Sequence, residues 1–172
     1  ALNATLWWLY LDQEFVYVGD AAIVEPSGET RRIGIDLGAR YQVLPWLYMY
    51  ADANISKGRS VEASDGEDFI PLAPDFTSVG GILVDNLGNF SGSLTYRYVD
   101  DRPANEDDSI VAEGYFVSDF NINYSWKNWT YGIIIENIFD TEWNETQFAT
   151  ESRLFDEPAP VEEIHFTPGT PF

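Results

Sequence analysis

Cysteine is absent from this 172-residue chain. There is consequently no disulfide framework, thiol nucleophile or thiolate metal site. The single histidine, His165, cannot form an imidazole cluster for a metal or a proton relay. Cationic residues are scarce: 9 Lys+Arg stand against 29 Asp+Glu, a formal net charge of −20. That balance excludes nucleic acid as a partner, because a phosphate backbone needs a basic footprint. No apolar run exceeds Leu6–Leu11, far short of the ~20 residues of a membrane-spanning helix. No basic segment followed by an apolar one opens the chain, which therefore reads as a mature form or an internal fragment. Heptads and glycine-rich phosphate loops are also missing.

Aromatics are abundant: 6 Trp, 10 Tyr and 11 Phe, together 16% of the chain. Acidic disordered chains are aromatic-poor, so this one folds. Its pattern has period two, the mark of strands with two unlike faces. Between Arg32 and Val43, Ile33, Ile35, Leu37, Ala39, Tyr41 and Val43 oppose Arg32, Gly34, Asp36, Gly38, Arg40 and Gln42. Phe90, Gly92, Leu94, Tyr96 and Tyr98 oppose Ser91, Ser93, Thr95 and Arg97; Phe116, Phe120, Ile122, Tyr124 and Trp126 oppose Asp119, Asn121, Asn123 and Ser125. Weaker alternation covers Ala1–Val18, Leu47–Ser56, Thr77–Asn86 and Trp129–Ile138. The expectation is roughly seven strands of about ten residues each.

The connections alternate in length. Tight turns fall at Leu44-Pro45-Trp46, Asn86-Leu87-Gly88-Asn89 and Lys127-Asn128; long links fall at Gly19–Thr30, Lys57–Phe76, Val99–Gly114 and Phe139–His165. One end of the sheet would thus carry only turns and the other only excursions, as in transmembrane β-barrels. Ten tilted residues cover roughly the 25 Å apolar band of an outer membrane. Trp7, Trp8, Tyr10, Trp46, Tyr48, Tyr50, Tyr96, Tyr98, Tyr124, Trp126, Trp129 and Tyr131 gather at strand ends, where interfacial girdles form. The opposite face carries Arg32, Asp36, Arg40, Asp52, Arg97, Asp119 and Glu136, which require a polar lumen. Lipid tolerates no open sheet edge, so a barrel needs more strands than these.

Four segments then resemble one family. Ile135-Glu136-Asn137-Ile138-Phe139-Asp140-Thr141-Glu142-Trp143-Asn144 resembles the N-[LI]-F-D-x-x-[YW] segment near the end of TonB-dependent outer-membrane receptors. Gly28-Glu29-Thr30-Arg31-Arg32-Ile33-Gly34-Ile35-Asp36-Leu37 is similar to their s-r-R-x-G-x-E-L strand, with Asp36 replacing the usual Glu. Gly114–Asp119 resembles the strand before their last hairpin, and Ala149–Leu154 with His165–Pro171 their closing outer loop. The resemblance implies an all-β antiparallel transmembrane barrel segment, with residues 1–172 supplying roughly strands 15 to 21 of a 22-stranded barrel. It further implies a bacterial outer-membrane transporter, not an enzyme, importing a scarce solute such as a metal-siderophore. Its partners would be outer-membrane lipid, the rest of the barrel and its plug, TonB through the missing N-terminal part, and the small-molecule ligand. No cofactor is implied. The plug and a closing strand are not among these residues, and Phe172 reads as a truncation point. The alternative is a self-contained eight-stranded barrel serving as anchor or adhesin.

Arg32, Arg97, Asp119, Glu136 and Trp143 are the candidates for ligand or lumen contacts, with Arg97 and Arg32 foremost because both lie toward the outer ends of their strands. These charges read equally well as cross-pairing along the wall. Acid runs at Glu62, Asp65, Glu67, Asp68, at Glu106–Asp108 and at Asp156, Glu157, Glu162, Glu163 read as a solvated outer surface. Asp65-Gly66-Glu67-Asp68 lacks a complete calcium-loop ligand pattern. Carboxylate pairs arise by chance among 29 acids, and neither they nor His165 make a catalytic set.

Overall fold

The computed structural model describes residues 1–18, 23–26 and 28–172. Its elements, in chain order, are β1 (Leu2–Leu11), β2 (Phe15–Val18), β3 (Ile23–Pro26), β4 (Thr30–Leu44), β5 (Leu47–Ser60), β6 (Phe76–Leu87), β7 (Phe90–Val99), β8 (Arg102–Pro103), β9 (Val111–Ala112), β10 (Tyr115–Trp126), β11 (Trp129–Ile135), β12 (Asn144–Ser152) and β13 (Val161–Pro168). Seven of them form one antiparallel sheet in the order β1-β4-β5-β6-β7-β10-β11; β2-β3, β8-β9 and β12-β13 are separate hairpins. A self-contained barrel would need β1 and β11 to meet, and here they are opposite edges of an open sheet.

Register explains why the alternation is so regular. Asp36 faces Thr5 on β1 and Asn54 on β5, and Asn54 faces Thr77 on β6; Thr95 faces Gly81 and Asp119. At this level one face is polar from β1 to β10, and Thr130 of β11 continues it opposite Ser125. The other is apolar and bare: Leu6, Ile33, Leu37, Ile82, Leu94, Phe116 and Ile133 are all exposed. Such a surface is untenable in water and suits hydrocarbon. The turns after β4, β6 and β10 are tight; Asn86, Gly88 and Lys127 take the positive φ these reversals need.

The packed interior lies under the long connections, against the loop-side end of the sheet. Ile70, Ala104, Asn105, Ala112, Val117, Asn137 and Gln147 are buried there. Leu72 N–H donates to Pro103 O at 2.7 Å and Phe69 N–H to Glu106 O at 3.1 Å, tying two excursions together. Asn105 Nδ2 donates to Ser109 Oγ at 2.8 Å and to Glu162 Oε2 at 3.1 Å, adding the β12-β13 hairpin.

Several expectations need correction. The first strand does not run to Val18 but stops at Leu11, because the polar stretch Asp12–Glu14 turns the chain. The β4-β5 ladder is longer than expected and continues to the Thr30↔Ser60 pair. Phe139–His165 is no open loop: most of it is the β12-β13 hairpin. Trp7, Tyr48 and Tyr50 are not on the apolar face; register places them with Gly34, Gln42 and Arg40 on the polar one. Part of the Gly19–Thr30 link lies outside the described residues.

Candidate functional site

Three of the five candidate residues converge. Arg97 lies near the loop-side end of β7, and Asp119 lies on β10 across the polar face. Trp143 comes from the segment leading into β12, and its ring meets that of Tyr115, on the same polar face, with centroids 4.8 Å apart. The Arg97 guanidinium sits 5.5 Å from the Trp143 ring centroid, within cation–π range. Its nearest approach to Asp119 is 3.9 Å, an ion pair without a hydrogen bond, and both side chains are exposed, at 49% and 36%.

Other lumen charges are more tightly engaged. Arg40 grips Asp52 through two bonds of 2.9 and 2.6 Å. Asn54 donates to Asp36 at 2.6 Å. Arg32 pairs with Glu14, whose other oxygen accepts from Thr30 Oγ1 at 2.7 Å. Glu14 lies in the short break after β1, where sequence reading had placed a continuing strand, so this partner went unseen. Arg32 and Arg97 are not brought together: β5 and β6 stand between their strands. Glu136 lies just past β11, exposed, between Ile135, which pairs with Phe120, and Asn137, which binds Asp119.

A residue absent from the candidate set holds the arrangement. Asn137 is 1% exposed and takes a positive φ of 50°. Its N–H donates to Asp119 Oδ1 at 3.0 Å, and its Nδ2 donates to Thr141 O at 2.9 Å and Thr170 O at 3.1 Å. Its Oδ1 accepts from Thr141 N at 2.9 Å. Trp143 is fixed by a 3.2 Å bond from Nε1 to Thr170 O and by Gly169, where any side chain would strike the indole. Gln147, also buried, clasps the Glu113 backbone through both its N–H and C=O. On the far side of Trp143 lies a cleft of about 570 Å³ bordered by Glu113, Asp140, Glu142 and Phe166. The signal for Asn137 was its place in the I-E-N-I-F-D run, quoted above only as a resemblance.

One sheet with a polar and an apolar face, long connections at one end and an aromatic-arginine group at its mouth describe a piece of barrel wall. Residues 1–138 match the family model for the TonB-dependent receptor-like β-barrel. The chain belongs to the TonB-dependent receptor family. Among solved structures it is similar to the ferric-catecholate import receptor Fiu from E. coli K12 (TM-score 0.69, 17% identity, 99% of this chain, 23% of that one). It is similar too to the ferric citrate transporter FecA (TM-score 0.70, 17% identity, 99% and 27%) and the copper transporter OprC (TM-score 0.59, 17% identity, 95% and 28%). The chain thus spans about a quarter of the length of these receptors. No curated protein matches it in sequence. Within a TonB-dependent receptor barrel, the apolar face meets lipid and the polar face lines the lumen.

Proposed function

We propose that residues 1–172 form one stretch of the barrel wall of an outer-membrane transporter. The complete protein imports a scarce metal chelate with energy delivered by TonB through a plug carried elsewhere in its sequence. Relatives named for ferric catecholate, ferric citrate and copper support that substrate class. The observation that carries the reading is the Arg97–Trp143–Asp119 group, set on the lumen face beneath the loops. The Arg97 side chain makes no hydrogen bond among the described residues, so its planar fork of donors is available to an oxyanionic metal ligand. Trp143 holds the guanidinium plane and offers an apolar wall, while Asp119 sets how far Arg97 must move. Arg32 and Glu136 would contribute to the lumen surface around this group.

The test is uptake of isotopic iron and copper chelates by cells carrying or lacking the full-length gene, with TonB intact or inactivated. Import that disappears with either gene supports the reading; import independent of both overturns it. In the full-length receptor, Arg97→Gln should lower uptake at limiting chelate about tenfold, the worth of one charge-assisted bond pair.

A further inference from the structure

The lipid-facing side of the sheet contains a notch. On the row Val84–Gly92–Ile122 the middle position has no side chain. The rows on either side, Ile82–Leu94–Phe120 and Leu87–Phe90–Tyr124, remain filled. The result is a groove of about 320 Å³ with Ile82, Val84, Leu94, Phe120 and Ile122 as walls. It lies on the half of the strands nearer the tight turns, the periplasmic side of a transmembrane barrel. At that end the Phe90 and Tyr124 rings pack with centroids 4.8 Å apart, and Trp126 stands beside them, 49% exposed. The next residue is Lys127, whose ammonium lies 4.8 Å from the Trp126 ring. Lys127 is exposed and is the only cation in the three tight turns.

We propose that this strip is a binding site for one phospholipid of the periplasmic leaflet. An acyl chain lies in the Gly92 notch and its phosphate meets Lys127. The distances agree: Ile122 and Lys127 are five residues apart, about 17 Å along a strand, within the length of a common acyl chain. The groove continues the surface that already faces hydrocarbon, and a lysine at the head-group level supplies the matching charge. Phe90, Tyr124 and Trp126 fill the interfacial layer between them, the level these rings prefer. Most lipids around a barrel exchange freely along a smooth surface. A recess with a cation at one end distinguishes one position from the rest.

The inference rests on the reading of the apolar face as membrane-embedded. The experiment uses the full-length receptor extracted from outer membrane into mild detergent, with phosphatidylglycerol as the probe and native mass spectrometry as the readout. One tightly retained phosphatidylglycerol is expected. Lys127→Gln, on an exposed turn, should weaken its retention about fivefold, as expected for one lysine at a membrane surface. Ile122→Trp, which fills the notch, should abolish it, whereas Leu6→Trp elsewhere on the same face should leave it unchanged. Equal retention in all three variants would mean ordinary annular lipid and overturn the proposal. A receptor recovered outside the membrane fraction would instead overturn the membrane reading beneath it.

Discussion

Asn137 shows how a neutral side chain can organise a charged site. Its φ of 50° belongs to a region that Asn tolerates better than most residues, and its amide satisfies three backbone groups from two separate segments. Asn137→Ala removes those bonds, empties a buried polar site and leaves Thr170 O with only its bond from Trp143 Nε1. The loss should be about 1–3 kcal/mol, seen as a lower urea midpoint of the full-length receptor. Asn137→Asp should be nearly as harmful, because a carboxylate cannot donate to Thr141 O and Thr170 O. Little of this was legible in sequence: Thr170 lies 33 residues away, and nothing in local pattern announces such a partner. The charges were easier. Arg97 and Asp119 stood out as polar insertions in alternating strands, though only coordinates show that one arginine is gripped and another is open.

At the scale of elements, period two made the seven sheet strands readable because one face meets hydrocarbon and the other water, while the aromatics Trp7, Tyr48 and Tyr50 fell on the polar face against expectation. The β12-β13 hairpin was missed because its cues are weak. Glu162 and Glu163 interrupt the apolar alternation of β13, and Asp156–Pro160 looks like open loop. Gln147 ties the hairpin to Glu113, at the end of the 100–114 excursion. Gln147→Leu should therefore loosen it by about 1–3 kcal/mol and open residues 151–161 to limited proteolysis, with the barrel itself intact. A second element-scale outcome concerns the 100–114 excursion. Two hydrogen bonds from Ser109 hold the Asp107 carboxyl below its ordinary range. A depressed folded-state value stabilises the loop above the unfolded pKa of about 3.9 and loses that contribution as pH falls through the folded value. Loop-specific resonances should accordingly hold at neutral pH and shift only in strong acid, and Ser109→Ala should move that transition upward.

For the whole molecule, the distribution of charge matters more than its sum. Of the 29 acids, all but Asp36, Asp52, Asp85 and Asp119 occur in the long connections, while the tight-turn end is almost uncharged. A mouth of this kind slows an approaching anion and hastens a cation. Capture of an anionic chelate should therefore quicken as salt rises from about 0.01 to 0.15 M, the range over which screening shortens to ~8 Å. Capture of a cationic chelate should slow over the same range; stopped-flow binding to the full-length receptor distinguishes the two. Isolated, the 172-residue chain should not refold in detergent to a heat-modifiable monomer, since both sheet edges remain unpaired.

The β4-β5 ladder has a further consequence. Fifteen residues at a tilt of ~45° stand roughly 35 Å tall, against an apolar band of about 25 Å. Hydrogen-bonded wall therefore rises roughly 10 Å above the lipid before the chain enters any connecting segment. To an antibody approaching the loop side, this part of the molecule offers a fixed relief. Arg31, Lys57 and Arg59, near the top of that wall, are among the few positive landmarks on an otherwise negative rim.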